Sequence, residues 1–139
     1  MATIHVDIVS AEREIFSGEA SMVFAPAMLG EVGIAPGHAA MLTRMNPGEV
    51  RVQLPNGEQQ AFYVSGGMLE VQPRVVTVLS DTAMRAHDLD EAAVLQAKQQ
   101  AEENIKNRSG TLDLSKAQAE IAELAAQLQT IQRLRRRGG

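Results

Sequence analysis

The chain has 139 residues, 45% of them hydrophobic, and a net charge of −4. That is enough apolar material for one or two small packed domains, and it excludes wholesale disorder. With no Cys and only 3% aromatics, disulfide scaffolds, thiolate metal sites and thiol nucleophiles drop out, and few platforms remain for stacking bases.

The first residues, Met1-Ala2-Thr3-Ile4-His5-Val6-Asp7, show no basic stretch ahead of an apolar one, so no signal peptide is expected. The longest uncharged run, Val32 to Thr43, has 12 residues, short of the roughly 18 a membrane span needs. A soluble, cytoplasmic chain is expected, with no direct membrane insertion.

Period-2 alternation dominates the first part. Ile4, Val6 and Ile8 alternate with His5 and Asp7. Ala20, Met22 and Phe24 read as the next inward set, and Val50, Val52 and Leu54 as another. Pro55-Asn56-Gly57 then predicts a tight hairpin, because Asn-Gly tolerates positive φ. A return strand from Glu58 to Val64, a break at Ser65-Gly66-Gly67, and strands Met68 to Val71 and Val75 to Leu79 follow. Between the early strands lies Gly30 to Ala39, with three Gly and one Pro. It reads as a multi-turn linker with Glu31 exposed at its tip, a suitable contact residue.

The composition changes near Arg85: all five Pro and eight of the eleven Gly precede it, and no Lys does. Two helices are predicted beyond. Asp88, with Glu91 three residues on, fits a capping box. The first helix carries Leu89, Ala93, Ala97, Ala101 and Ile105 on one row and stops around Asn107 to Gly110. The second starts near Asp113 or Ser115 and places Leu114, Ala117, Ile121, Leu124, Leu128 and Ile131 on a coiled-coil-like stripe. Because three of the five facing residues on the first helix are Ala, this hairpin is expected to be stable as helix but weakly held together. The fold class is therefore α+β in two domains. An all-β sandwich or flattened barrel spans residues 1–86, and an α-helical hairpin spans 87–139.

Chemistry is scarce. His5, His38 and His87 are scattered, and neither a metal-binding H-E-x-x-H nor a G-x-S-x-G elbow nor a glycine-rich phosphate loop is present. No metal, no cofactor and no catalysis are expected. Asn107-Arg108-Ser109 is a chance match to the glycosylation sequon. The last ten residues carry Arg133, Arg135, Arg136 and Arg137 and no acid. These fit favourable cations at a helix C-terminus, an acidic partner surface, or nucleic acid.

Several segments, in order, are similar to one family. Gly30-Glu31-Val32-Gly33-Ile34-Ala35-Pro36-Gly37-His38 resembles the loop G-E-[LI]-G-I-x-P-G-H of the epsilon-subunit family of bacterial F-type ATP synthases (delta in mitochondria). Val64-Ser65-Gly66-Gly67-Met68-Leu69-Glu70-Val71, Val76 to Ala83 and Asp88-Leu89-Asp90-Glu91-Ala92 resemble its S-G-G-x-[LF]-E-V, V-T-V-L-A-D-T-A and D-L-D-E-A segments. Asp7 to Glu12 and Phe16-Ser17-Gly18 also fit.

The resemblance implies a non-catalytic rotor subunit at the cytoplasmic face of the bacterial inner membrane. Its sandwich would bind the gamma subunit and rest on the c-subunit ring. Its helices would either fold down or extend into the alpha/beta catalytic head, where they inhibit ATP hydrolysis. By the same resemblance Glu31 faces the basic polar loops of the ring and His38 lies near the gamma and ring contact. Arg133, Arg135, Arg136 and Arg137 meet an acidic segment of the beta subunit.

Two departures stand out. Ala40 replaces a usual Pro. Members that bind ATP carry [IL]-D-x-x-R-A, whereas here Leu89-Asp90-Glu91-Ala92-Ala93-Val94 keeps Asp90 but puts Ala93 at the Arg. Losing that fixed cation predicts weak or absent ATP binding. The rival readings are a free-standing β-sandwich binding module with a helical interaction hairpin, an enzyme with an unrecognised site, and an Arg-tailed nucleic-acid binder. Co-purification of a gamma-type partner, turnover by the isolated chain, and steep salt-dependent affinity would separate them.

Overall fold

The computed structural model describes residues 2–107 and 114–136. Ten strands come first: β1 (Ile4–Ser10), β2 (Glu14–Ala20), β3 (Met22–Ala27), β4 (Gly30–Ile34), β5 (Met41–Met45), β6 (Gly48–Gln53), β7 (Gln59–Val64), β8 (Gly67–Val71), β9 (Val75–Ser80) and β10 (Ala83–Arg85). A 3-10 turn at Ala86–Asp88 leads to α1 (Glu91–Asn107) and α2 (Leu114–Arg136).

The strands form one sheet, ordered β10-β7-β6-β3-β5-β8-β9-β1-β2, with β4 added on β3. Every pairing is antiparallel except that of β1 with β9. The sheet curls until its ends approach, and Arg85 on β10 donates from Nη2 to the Ile15 carbonyl on β2 at 3.5 Å. The result is a nearly closed β-sandwich. Its interior holds Ile4, Val6, Ile8, Val50, Val52 and Phe62 among others, all fully buried. Each such side chain contributes about 1.5–3 kcal/mol by leaving water. Among the described residues, that core cluster is made only of strand residues and contains none from α1 or α2.

The alternation of β1 and β6 and the hairpin between β6 and β7 follow the sequence reading. At the hairpin, Asn56 Oδ1 accepts from Glu58 N at 2.9 Å, and Gly57 has φ +93°. The inward set of β3 does not follow it. Ala20 is buried, but a bend at Ser21, whose amide bonds Gln53 O at 2.8 Å, shifts the phase. Val23, Ala25 and Ala27 face the core instead. Met22 and Phe24 lie outside, where the Arg51 guanidinium covers the Phe24 ring at 4.6 Å.

The expected linker at 30–39 is half strand. Gly30–Ile34 pairs with β3, with Phe24 opposite Gly33 and Pro26 opposite Glu31. Only the turn after it is irregular, where Gly37 N bonds Pro73 O at 2.8 Å.

The helices lie against each other and α2 lies against the outer face of β6 and β7, with the end of α2 beside the start of α1. The helix start moves two residues from the expected cap. Asp88 belongs to the 3-10 turn that Leu89 N closes on Ala86 O at 3.1 Å. Asp90 caps α1 in its place, accepting from Ala93 N at 3.3 Å. On α1 the buried positions are Val94 and Ala101, while Ala93 is exposed.

On α2 the deepest are Ala126, Thr130 and Ile131; Ala117, Ile121, Leu124 and Leu128 are half covered. Thr130 is buried because its hydroxyl bonds back to Ala126 O at 2.9 Å. Of the expected stripe Ile131 is buried as read, while Ala117, Ile121, Leu124 and Leu128 form the rim of a face turned further toward the sheet. Residues 108–110, Asp113, Arg137 and the side chains of Ile105, Leu114 and Ser115 fall outside what is described.

Candidate partner-binding surfaces

Two surfaces carry the candidate residues, and a third cluster was not anticipated. The first is the seat of α2. Glu49 on β6 and Tyr63 on β7 are register partners, and Met84 on β10 is the partner of Tyr63 on its other side. Strand alternation turns this row away from the core, so it would normally meet water. Here α2 covers it, leaving Glu49 3% and Tyr63 0% exposed.

The contacts across the seam are polar. Tyr63 OH donates to the Glu123 carbonyl at 3.4 Å. Arg133 Nη1 lies 4.0 Å from Glu49 Oε1, and Arg51 Nε lies 3.8 Å from the same oxygen. A carboxylate this buried needs cations close by, since an uncompensated buried charge is strongly destabilising. Burial, helped by the negative Glu123, pushes the Tyr63 phenol well above its ordinary value.

At the end of α2, Arg135 pairs with Glu91 in the first turn of α1, and Arg136 is exposed. A cleft of about 600 Å³ lies there, lined by Leu89, Asp90, Leu95, Ile131, Leu134 and Arg135 among others. It adjoins the start of α1, where the ATP-binding motif would sit. Ala93 offers no charge there, and Arg135 is engaged by Glu91.

The second surface is the β3–β4 hairpin. Glu31 is exposed, but on the strand rather than at the tip, and its Oε1 accepts from Arg51 Nη2 at 2.5 Å. The tip itself is apolar, with Leu29 100% and Met28 53% exposed. Sequence reasoning missed this pair. The signal was present as two large apolar residues directly before the turn glycine Gly30. His38 stands apart in the following turn, half buried, with Nδ1 donating to Ala39 O at 2.8 Å. The structure therefore brings Glu31 and Arg133 into one run of charges through Arg51 and Glu49, and leaves His38 out of it.

The third cluster lies outside β1 and β2. His5 Nδ1 meets Glu19 Oε2 at 2.8 Å, and Nε2 meets Asp7 Oδ1 at 3.0 Å. Hydrogen bonds from Glu19 and then Asp7 raise the His5 value above 6.5. Bonds from Thr3 and His5 lower that of Glu19 below 4.5. The His5 contribution is complete below its unfolded value and is lost as pH rises through the raised one. That of Glu19 is complete above its unfolded value and lost as pH falls through the lowered one. His5→Gln is therefore expected to lower the urea midpoint slightly between pH 4.5 and 6.5 and to leave it unchanged in mildly alkaline buffer. An equal loss at all pH values would contradict the charge pairing.

A family model described as "ATP synthase, Delta/Epsilon chain, beta-sandwich domain" matches residues 3–86, and one described as "ATP synthase, Delta/Epsilon chain, long alpha-helix domain" matches 87–132. The chain belongs to the ATP synthase delta/epsilon family. A relative from Nitrosococcus oceani, named ATP synthase epsilon chain, is 64% identical over 137 residues, covering 99% of this chain and 98% of the relative. One of the same name from Alkalilimnicola ehrlichii is 63% identical over the same shares.

Among solved structures, a chain of the Euglena gracilis mitochondrial ATP synthase (OSCP/F1/c-ring) has the same fold. Its TM-score is 0.80 at 17% identity, with 91% of this chain and 79% of that chain covered. A chain of the Tetrahymena thermophila mitochondrial ATP synthase central stalk and c-ring gives 0.63 at 16%, covering 92% and 96%. As a delta/epsilon family member, the chain is a subunit of an ATP synthase. Among the described residues, no helix is long and apolar enough to cross a membrane.

Proposed function

We propose that this subunit forms part of the central stalk of the bacterial enzyme, at the cytoplasmic face of the inner membrane, without catalysis of its own. In this reading residues 1–86 bind the gamma subunit and rest on the c-subunit ring through the β3–β4 hairpin, with Glu31 meeting basic ring loops and His38 near gamma. Residues 87–139 are the regulatory unit. Its α2 lies folded against the sandwich, or the unit extends along gamma into the alpha/beta head and blocks ATP hydrolysis. In the extended state Arg133, Arg135, Arg136 and Arg137 turn to an acidic segment of the beta subunit. ATP binds this subunit weakly or not at all.

One observation carries the reading. The sandwich closes its apolar core without help from the helices, and α2 rests on its outer face, with Tyr63 OH on the Glu123 carbonyl and Arg133 beside Glu49. Among the described residues, departure of the helices takes none out of that core, and the helices keep their own backbone bonds as they go.

The test is ATP hydrolysis by the assembled complex with the full subunit and with the subunit ended at Ala86. A several-fold rise on truncation is expected. No change would remove the inhibitory role and leave coupling alone.

A further inference from the structure

The run of four charges joins two surfaces that the proposed function treats separately. Glu31 Oε1 and Arg51 Nη2 are in tight contact at 2.5 Å. Arg51 Nε reaches Glu49 Oε1 at 3.8 Å, and Arg133 Nη1 reaches that same oxygen at 4.0 Å. Thus one cation is shared by two carboxylates, and one carboxylate is shared by two cations. The Phe24 ring lies under the Arg51 guanidinium at 4.6 Å and holds it on the sheet surface. Of the four groups Glu49 is the most buried, so it is the one whose compensation matters most.

We infer that Arg51 is a two-way switch that makes cation binding at Glu31 and release of α2 favour each other. This rests on the proposed function, and it names the regulation of that surface. When a partner's Lys or Arg side chain takes Glu31, Arg51 loses its nearest anion and turns fully to Glu49. Glu49 then no longer needs Arg133, and the end of α2 is freed. In the other direction, when α2 leaves, Arg51 is drawn to the uncovered Glu49 and gives up Glu31 to the partner. Such coupling is reciprocal by thermodynamic necessity.

The two contacts at Glu49 are longer than the one at Glu31. Arg51 is therefore held more closely by Glu31 than by Glu49, and removing Glu31 changes how it is shared.

The test uses the isolated full chain, which has no natural Cys. Spin labels are placed through Gln59→Cys and Gln132→Cys, both exposed. Gln59 lines a cleft together with Leu134 of α2, so the docked state gives a short distance. Glu31→Gln imitates capture of Glu31 by a partner. It is expected to raise the long-distance population about two- to fivefold, the range a partly exposed ion pair supports.

In an Arg51→Met background the link between Glu31 and Glu49 is removed, and Glu31→Gln is expected to have no effect. Arg133→Gln must raise the same population, as a control on the latch. An unchanged distribution in the Glu31→Gln single variant overturns the switch, as does an equal increase in both backgrounds. If truncation raises hydrolysis while Glu31→Gln leaves the distances unchanged, the switch fails and the proposed function stands. If truncation has no effect while the distances respond, the reverse holds.

Discussion

Gly67→Ala is expected to lower stability by about 3 kcal/mol or more, as the sum of a strained backbone and a steric overlap. Gly67 opens β8 at φ +115°, in the left-handed region that side chains avoid. A Cβ there would stand 2.9 Å from Ser80 Cα and closer still to the Leu79 carbonyl. Both neighbours are backbone of β9, which is locked between β8 and β1, so neither yields. Gly57 is the control. Its φ is +93° but nothing lies within 4 Å of the added atom, so Gly57→Ala should cost only about 1 kcal/mol. Urea unfolding of the two variants measures both. Equal losses would show that the approach of β9 is not tight.

The second large effect concerns the phenol under α2. The chain has one Tyr and no Trp, so tyrosinate absorbance reports a single position. In the intact chain Tyr63 is fully buried, and its value is raised by burial first and by Glu123 second. The neutral phenol is therefore the form that the folded state favours. Its contribution to docking is complete below the ordinary value near 10 and is lost as pH climbs toward the raised one. An alkaline titration of the full chain should show no ionisation near 10. With the chain ended at Ala86, the same phenol should titrate close to 10. If the full chain titrated normally, α2 would not cover this site in solution.

Features whose cause is local are legible in the sequence, and those whose cause lies far along the chain are not. Ile4, Val6 and Ile8, and likewise Val50 and Val52, are inward because alternation is local, and the Asn56-Gly57 turn is local too. The strand at Gly30–Ile34 was hidden because backbone ladders need no side-chain pattern, and its glycines read as breaks. The phase of β3 was lost at one bend, since a shift of one residue exchanges the two faces.

Glu49 and Tyr63 were illegible for another reason. Both sit on an outward row, and only a helix more than fifty residues further along buries them. Glu31 and Arg51 stand 20 residues apart, and their partnership was hidden because the strand that carries Glu31 was itself unread. The α1 row drifted from Ala93 to Val94 because every-fourth spacing turns about 40° per step on a helix of about 3.6 residues per turn, so such a row does not stay on one face. The β-then-α order and the charged end of α2 needed no such long-range information.

The single parallel pairing has a consequence for biogenesis. His5 lies opposite Val75 and Ser10 opposite Ser80, so the first strand made keeps one flank open until the ninth emerges from the ribosome. Among the strand pairings this one joins the residues furthest apart in the chain, so it carries the largest loop-closure cost. α1 and α2 follow all ten strands in the chain and add nothing to the core cluster, so they dock on a surface that the strands complete by themselves.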